Sequence, residues 1–200
     1  MANDTKMRLL QCGLQLFKER GYNNVSVDDI CQEAAITRST FYYHYQTKDE
    51  LLDSLYQTAA IIPEGDALAE LLLSSNSWDK LWGIYEVGID WTIELGHEML
   101  SCILVTNLAS HRNTFFPLAV ETVDKMAVKV IGAGQKNKDF LNRSDPELLA
   151  KTLRTIIMGA AFEWCNKNGN YNQKKEIKLA FIALLDVDRK LYETKKASNR

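Results

Sequence analysis

Proline is scarce in this sequence, and no long stretch alternates between apolar and polar residues. Only three prolines, Pro63, Pro117 and Pro146, occur in 200 residues. Each lies where a helix can begin or end, so none interrupts a long helical pattern. A half-buried strand needs an alternating pattern, and its absence argues against a sheet. The sequence therefore predicts an all-α protein.

Closely spaced cysteines, clustered histidines and membrane-length apolar runs are also missing. Cys12, Cys31, Cys102 and Cys165 are far apart, and the three histidines show no metal-ligand spacing. This pattern is typical of buried, reduced thiols, without a disulfide framework or a metal site, although it leaves a redox role open. The polar start is unlike a signal peptide, and no apolar run approaches a membrane span. We expect a cytoplasmic protein.

Common catalytic motifs are absent as well. The sequence holds no GxSxG, no phosphate-binding P-loop and no GxGxxG. No pair of carboxylates is forced together by its spacing, so catalysis would require scattered residues. We therefore expect no enzymatic activity, no catalytic residues and no cofactor.

The charge balance is close to neutral, and its distribution is more informative than its sum. The chain has a net charge of −2, with 46% hydrophobic and 25% charged residues, as in ordinary globular proteins. Residues 1–50 hold six basic and seven acidic side chains, a sum of −1, whereas DNA-binding domains are more often basic. However, residues 34–48 contain no acidic side chain. A basic region this small would give only modest non-specific affinity for a nucleic acid.

Two short capped helices with a tight turn between them are predicted over residues 26–45. Ser26 is suited to cap the first helix, and Asp29 three positions later completes a capping box. That helix ends near residues 35–36, and Thr37 is suited to cap the second. Phe41 and Tyr45 lie four positions apart and share the inward face of this second helix. The arrangement is a helix-turn-helix.

The outward face of the second helix carries Arg38 and Tyr42, flanked by Ser39 and Tyr43. A large aromatic that faces water beside an arginine is poorly explained by packing within the protein. It is well explained by a DNA groove, where arginine donates to guanine and tyrosine reaches a base edge or a thymine methyl group. We expect the helix from Thr37 to Tyr45 to lie in the major groove.

A third helix is predicted to begin at Thr47, with Glu50 completing a second capping box. Lys48 lies in its first turn, where a cation is unfavourable to the helix dipole. A DNA phosphate bound by Lys48 and by the free backbone N–H groups would explain this cation. Lys48 is therefore a candidate phosphate contact.

Residues 1–50 resemble the DNA-binding domain of the TetR family. The resemblance rests on linked motifs over about the first quarter of the chain: residues 9–17, Gly21-Tyr22, residues 26–30, Thr40-Phe41-Tyr42-Tyr43-His44-Tyr45 and Lys48-Asp49-Glu50-Leu51-Leu52. Two positions depart from the family pattern. Ala35 lies at the position where the family usually has a turn glycine, and a positive φ there would strain alanine by about 1 kcal/mol. Tyr45 replaces the usual phenylalanine.

The candidate DNA contacts fall into two groups. Arg38 and Tyr42 are expected to read bases. The expected phosphate contacts are Ser26, Thr37, Tyr43, His44 and Lys48, with Ser39 and Thr40 at the same surface.

We divide the chain into a helix-turn-helix domain at 1–50 and a helical effector-binding and dimerisation domain at 51–195. The helix that begins at Thr47 is predicted to continue into the second domain, to about residue 61. The further helices predicted there extend over 67–73, from the cap Ser77 to Leu95, from His97 to Ser110, from Pro117 to about Gly134, from Pro146 to about Lys167, and from Gln173 to about Thr194. A polar connector is predicted at 134–143.

The last two long helices are predicted to form a homodimer interface. Their apolar stripes are Leu149, Leu153, Ile156 and Ala160 on one helix, and Ile177, Phe181, Leu184 and Leu191 on the other. A four-helix bundle would suit a two-fold operator, and the resemblance implies it. The alternative is that both stripes face only the protein's own core.

The resemblance also implies an apolar effector chamber in the middle helices. The candidate lining residues are aromatic or apolar, apart from one histidine: Trp82, Tyr85, Met99, Cys102, His111, Phe116 and Trp164. An apolar or amphipathic small molecule is the expected ligand. The alternative is that these side chains form an ordinary core.

We therefore expect a homodimeric DNA-binding transcriptional regulator, a repressor that a ligand releases from a palindromic operator. The alternative is a TetR-like adaptor that acts through protein contacts without operator specificity. Arg38, Tyr42 and Lys48 argue against the adaptor because it would not need base and phosphate contacts.

Overall fold

The computed structural model describes residues 2–58, 76–110 and 118–193. The helices in these ranges are α1 (Ala2–Arg20), α2 (Val27–Glu33), α3 (Arg38–His44), α4 (Lys48–Thr58), α5 (Ser77–Leu95), α6 (His97–Ser110), α7 (Leu118–Asn137), α8 (Pro146–Asn166), α9 (Gln173–Leu185) and α10 (Arg189–Glu193). A 3₁₀ turn, Tyr22–Asn24, follows α1. The described ranges hold no strand, only an isolated antiparallel bridge between Phe140 and Val187. The all-α prediction is confirmed.

The chain divides into two compact units. The first contains residues 1–59 and 94–115, and the second contains residues 60–93 and 116–200. The first unit is thus longer than the predicted 1–50 domain, because α4 packs against α1, and α6 packs against α4 and the 3₁₀ turn. The core of this unit is formed by buried apolar side chains: Leu9, Leu16, Phe17, Ile30, Phe41, Leu51 and Leu52.

The second unit is built around aromatic contacts within α5 and between α5 and α9. The Trp78 and Trp82 rings stack with centroids 6.0 Å apart, and Phe181 meets the Tyr85 ring edge-on at 5.3 Å. Helix α8 packs against both α7 and α9. The Asp139 carboxylate accepts a hydrogen bond from the backbone N–H of Ser77, and the Asp139 carbonyl accepts one from the N–H of Asp188.

Several residues of the predicted interface stripes are buried within this core instead. The buried members are Leu149, Leu153, Ala160, Ile177 and Phe181, and they cannot be the outer contact surface of a dimer. Ile156, Leu184 and Leu191 are half-buried against the same core. Helical spacing alone cannot separate a core stripe from an interface stripe, because both repeat every three to four residues.

Three predicted helix boundaries were wrong. The last long helix ends at Leu185, because Asp186 adopts a left-handed conformation with φ 49° and turns the buried Val187 toward Phe140. Helix α7 continues past Gly134 to Asn137 and shortens the predicted connector. Helix α5 is capped by the Asn76 side chain rather than by Ser77, since Asn76 Oδ1 accepts from Asp79 N at 2.8 Å. The predicted helix at 67–73 lies outside the described residues.

None of the four cysteines forms a disulfide; Cys31 is buried and the others are half-buried. Burial raises the pKa of the Cys12, Cys31 and Cys102 thiols, which disfavours the reactive thiolate. Among the described residues, no group of His, Cys, Asp and Glu is arranged to bind a metal ion. In the same part of the chain, no helix combines the length and the apolar character that a membrane crossing needs.

Candidate nucleic-acid interface

The capping box at the start of α2 is present. Ser26 Oγ accepts a hydrogen bond from Asp29 N at 3.2 Å, and Ser26 N donates to Asp29 Oδ2 at 2.7 Å. The Ser26 hydroxyl also donates to the Asp29 carboxylate, and these bonds hold the pKa of Asp29 below its ordinary value. Because its hydroxyl is committed to the cap, Ser26 would have to exchange this bond in order to donate to a phosphate.

The turn between α2 and α3 is a Schellman motif. Ile36 N donates to Cys31 O at 3.0 Å, and Ala35 N donates to Gln32 O at 3.1 Å. Ala35 has φ 50°, the left-handed conformation that usually selects glycine. The condition under which alanine is strained at this departure from the family pattern, a positive φ, is therefore met. The turn therefore contains local strain that a glycine would not have.

Helix α3 is short, and its two faces differ sharply. Its N-cap is Thr37, whose Oγ1 accepts from Thr40 N at 3.3 Å. Phe41 on the inner side of α3 and Tyr45, the extended C-cap residue that follows the helix, are both fully buried, as predicted. On the outer side Tyr42 is half exposed and Tyr43 is 79% exposed.

The outward residues of α3 form what we call the reading face: Arg38, Ser39, Tyr42 and Tyr43. Of the other predicted contacts, Thr37 is exposed, and Thr40 and His44 are half-buried. The Tyr43 and His44 rings contact each other edge-on with centroids 5.0 Å apart. The helix-turn-helix thus presents the two predicted base readers on one exposed surface.

Arg38 has a protein partner on this surface. Its Nε and Nη2 both donate to the carboxylate of Asp28, in the first turn of α2. This forked ion pair lowers the pKa of Asp28 and raises that of Arg38. Both side chains stay exposed, at 66% for Arg38 and 56% for Asp28. Asp28 is a functional candidate that the sequence analysis missed, since its partner lies ten positions away.

Lys48 is held by the protein more firmly than its predicted phosphate role required. Its Nζ donates to the carbonyls of Tyr22 and Val25, both at 2.8 Å. The same ammonium lies 4.1 Å from the centroid of the Tyr22 ring, a cation–π contact. Burial lowers the Lys48 pKa below its ordinary value. These bonds give the cation a structural role, which no local sequence signal reveals.

The start of α4 differs in detail from the predicted capping box. Thr47 Oγ1 accepts from Glu50 N at 3.1 Å, as expected for an N-cap. The Glu50 carboxylate, however, accepts from Gln46 N at 2.7 Å. The reciprocal bond is therefore made one residue earlier than the capping-box pattern predicts. Nearby, the Tyr22 hydroxyl donates to the Asp49 carboxylate, which also joins α4 to the 3₁₀ turn.

The Tyr45 hydroxyl, the other departure from the family pattern, lies in a buried environment. Burial raises the Tyr45 pKa to about 12, and a polar contact with Ser54 partly offsets that effect. The Lys6 ammonium lies 5.6 Å from the centroid of the Tyr45 ring. Tyr45 therefore stays neutral and serves mainly as an inward anchor for α3.

The predicted effector residues are divided between the two units. Trp82, Tyr85 and Trp164 are buried in the second unit. Met99 and Cys102 belong to the first unit, where Met99 lines a cleft of about 340 Å³ with Phe17 and Tyr22. His111 and Phe116 lie outside the described residues. The effector chamber therefore stays a prediction.

The helix-turn-helix geometry agrees with a known family. The family model described as "Bacterial regulatory proteins, tetR family" matches residues 9–55, which span most of α1, the helix-turn-helix and most of α4. The first domain of this chain is a TetR-family DNA-binding domain. The sequence-based resemblance is thereby confirmed.

Curated relatives match mainly this TetR-family domain. The Transposon Tn10 TetC protein of Escherichia coli is 32% identical over 90 residues, 45% of each chain. The regulator AcrR of Shigella flexneri is 29% identical over 56 residues, 28% of this chain and 26% of AcrR. In both matches the aligned part spans less than half of the relative. A longer match, at 24% identity over 172 residues, covers 80% of this chain and 79% of MftR of Mycobacterium tuberculosis.

Solved structures show that the TetR-family fold extends over most of the chain. A TetR transcription regulator from Haloarcula marismortui superposes with a TM-score of 0.67 at 20% identity, covering 92% of this chain and 97% of that one. Thermus thermophilus FadR, solved in complex with lauroyl-CoA, gives a TM-score of 0.66 at 16% identity, covering 90% and 93%. At these sequence identities the structural similarity establishes the fold alone.

Replacement of Ala35 by glycine should stabilise the turn. Glycine adopts φ 50° without the steric cost of a Cβ, so Ala35→Gly should raise the free energy of unfolding by about 1 kcal/mol or slightly less. The matched control is Ala34→Gly, because Ala34 is buried in the right-handed conformation with φ −79° and should lose stability. Urea unfolding of both variants measures the difference. Equal losses from the two substitutions would contradict strain at Ala35.

Proposed function

We propose that this protein is a transcriptional regulator that reads a palindromic operator as a homodimer and represses transcription until a small ligand releases it. The observation that carries the proposal is the reading face. Two tyrosines and an arginine are exposed on a helix whose opposite face is anchored by Phe41 and Tyr45. Related proteins support it by name: IcaR of Staphylococcus epidermidis is a negative transcriptional regulator.

The chemistry of the reading face suits a major groove. An arginine fork matches the O6 and N7 acceptors of guanine, and a tyrosine edge matches a base edge or a thymine methyl group. Thr37, Ser39 and Thr40 place three hydroxyl groups at the N-terminus of α3, where Thr37 Oγ1 hydrogen-bonds to Ser39 Oγ at 2.8 Å and to Thr40 Oγ1 at 2.9 Å. Hydroxyl groups beside free helix N–H groups are suitable partners for a phosphate.

Binding to a selected operator tests this role. Arg38→Ala should weaken binding to an operator, obtained by selection from random DNA, about 5- to 150-fold and relax the preference at one base pair. Lys18→Ala removes the same charge from the exposed surface of α1 and should leave the preference intact. Mobility shifts against the operator and random DNA provide the comparison. Failure to select any operator would favour the adaptor alternative. An unchanged preference in Arg38→Ala would refute base reading.

We infer that the dimer uses the outward faces of α8 and α9. Phe162 and Leu148 on α8 are 65% and 57% exposed, and Leu179 on α9 is 50% exposed. Leu148 and Phe162 lie 14 positions apart, close to four helical turns, so they share one side of α8. Gly159, one turn before Phe162, has nothing within 4 Å of an added Cβ, which leaves room for a partner helix. Large exposed apolar side chains on long helices are typical of such bundles.

A charge on this outward face should separate the subunits without unfolding them. We expect Phe162→Asp to give a folded monomer, because an unpaired carboxylate would be buried in the dimer yet solvated in the monomer. Leu141→Asp is the control, since Leu141 is 48% exposed outside these helices. Sedimentation measures the mass, and circular dichroism checks the fold. If Phe162→Asp dimerised with unchanged affinity, the interface would have to lie on another surface.

We further propose that the effector binds in the second unit beside Tyr85. The Tyr85 hydroxyl is buried and has no hydrogen-bond partner among the described residues, and the same holds for Asp124 Oδ1. Buried polar groups are normally paired, so a polar group of a ligand is a suitable partner. The lauroyl-CoA complex of FadR supports an amphipathic ligand class for this fold.

Tyr85→Phe tests this assignment. The variant should be as stable as the parent or slightly more so, because it removes a buried unpaired hydroxyl. An amphipathic acyl compound, beginning with lauroyl-CoA, that raises the melting temperature of the parent should raise that of Tyr85→Phe less. Trp82→Phe, which retains the Tyr85 hydroxyl, is the comparison. Equal ligand-induced shifts in the parent and Tyr85→Phe would exclude the hydroxyl from the site.

A further inference from the structure

The ion pair between Asp28 and Arg38 uses only one edge of the guanidinium group. The Asp28 carboxylate accepts from Nε and from Nη2 of Arg38. A guanidinium group has five N–H donors, one on Nε and two on each terminal nitrogen. Three donors therefore remain, two on Nη1 and one on Nη2. They lie at the outer end of the side chain, where the two nitrogens form a second fork.

That outer fork has the geometry that recognises guanine. The O6 and N7 atoms of guanine accept two parallel hydrogen bonds in the major groove, and an end-on arginine supplies both. The edge bound by Asp28 and the end that meets guanine use different hydrogen atoms. Arg38 can therefore keep its bonds to Asp28 while it binds a base.

We propose that Asp28 is a positioning residue, which holds the Arg38 guanidinium end-on to the major groove and thereby sets a guanine preference at one operator position. The inference rests on the proposed DNA-reading function. An exposed arginine otherwise samples many rotamers and loses that freedom on binding. A side chain that is already held in its bound orientation loses less conformational entropy on binding. It also binds one base geometry in preference to others.

The charge of Asp28 has a second effect on selectivity. Its carboxylate is exposed beside the reading face and repels DNA phosphates in any register. The repulsion lowers affinity for all DNA, whereas the orienting effect strengthens binding only where guanine meets Arg38. Asp28 therefore reduces general affinity and increases the difference between operator and random DNA.

Three substitutions separate these effects. Asp28→Ala removes both the positioning bonds and the charge. Glu33→Ala removes the same charge from an exposed position on α2, five residues away and on another side of the helix. Asp28→Glu retains the carboxylate and should restore much of the pairing. The exposure of Asp28 predicts that the variants fold, which thermal melting checks.

The measurement is the affinity of each full-length variant for the selected operator and for operators with single base-pair changes. In the parent, replacement of the guanine that Arg38 reads should weaken binding about 5- to 150-fold. In Asp28→Ala this penalty should fall severalfold, while the penalties at other positions stay constant and affinity for random DNA rises. Glu33→Ala should keep the guanine penalty, and Asp28→Glu should recover it.

Two outcomes overturn the inference. If Asp28→Ala retains the full guanine penalty, Asp28 does not position Arg38. Asp28→Ala could instead lose a preference for cytosine at an operator position where Arg38→Ala keeps the parent's preference. In that case Asp28 reads a base by itself. Arg38→Ala separates these results from a failure of the proposed function. Loss of the guanine preference in that variant upholds base reading by Arg38 whatever the Asp28 variants show.

Discussion

Burial of Phe41 and Tyr45 fixes the rotation of helix α3 about its own axis, and the reading face depends on that rotation. The helix has only seven residues, too few to be stable alone in water. Its conformation is maintained by the Thr37 cap and by the two anchors packed into the first unit. Any change that loosened these anchors would rotate Arg38 and Tyr42, the two proposed base contacts, without altering their chemistry.

A second constraint links the start of α4 to the chain before α2. Lys48 bonds to the carbonyls of Tyr22 and Val25, and the Tyr22 hydroxyl bonds to Asp49. Helix α6 of the same unit packs against both α4 and the 3₁₀ turn. A displacement of α6 would therefore act on the two elements that Lys48 joins.

The sequence predicted local features well and distant pairings poorly. The caps at Ser26 and Thr37 and the buried anchors follow from residues within a few positions of one another. The Asp28–Arg38 and Lys48–Tyr22 contacts join residues 10 and 26 positions apart, and no local pattern indicates them. The end of α9 at Leu185 was missed because it depends on Val187 turning toward Phe140. The dimer stripes were ambiguous because core and interface share one helical period.

The division of the chain also affects the order in which it can fold during synthesis. The first unit requires residues 94–115 in addition to its N-terminal helices. The second unit requires Phe181 against Tyr85, and the Asp188 N–H on the Asp139 carbonyl. Neither core is complete while only the first 60 residues have left the ribosome. The core of the second unit stays incomplete until α9, which carries Phe181, has been synthesised. Long-range closure of this kind slows folding and keeps apolar surface exposed for longer. A nascent chain stalled before α9 would thus expose the aromatic side chains of α5, which makes it a candidate substrate for chaperones.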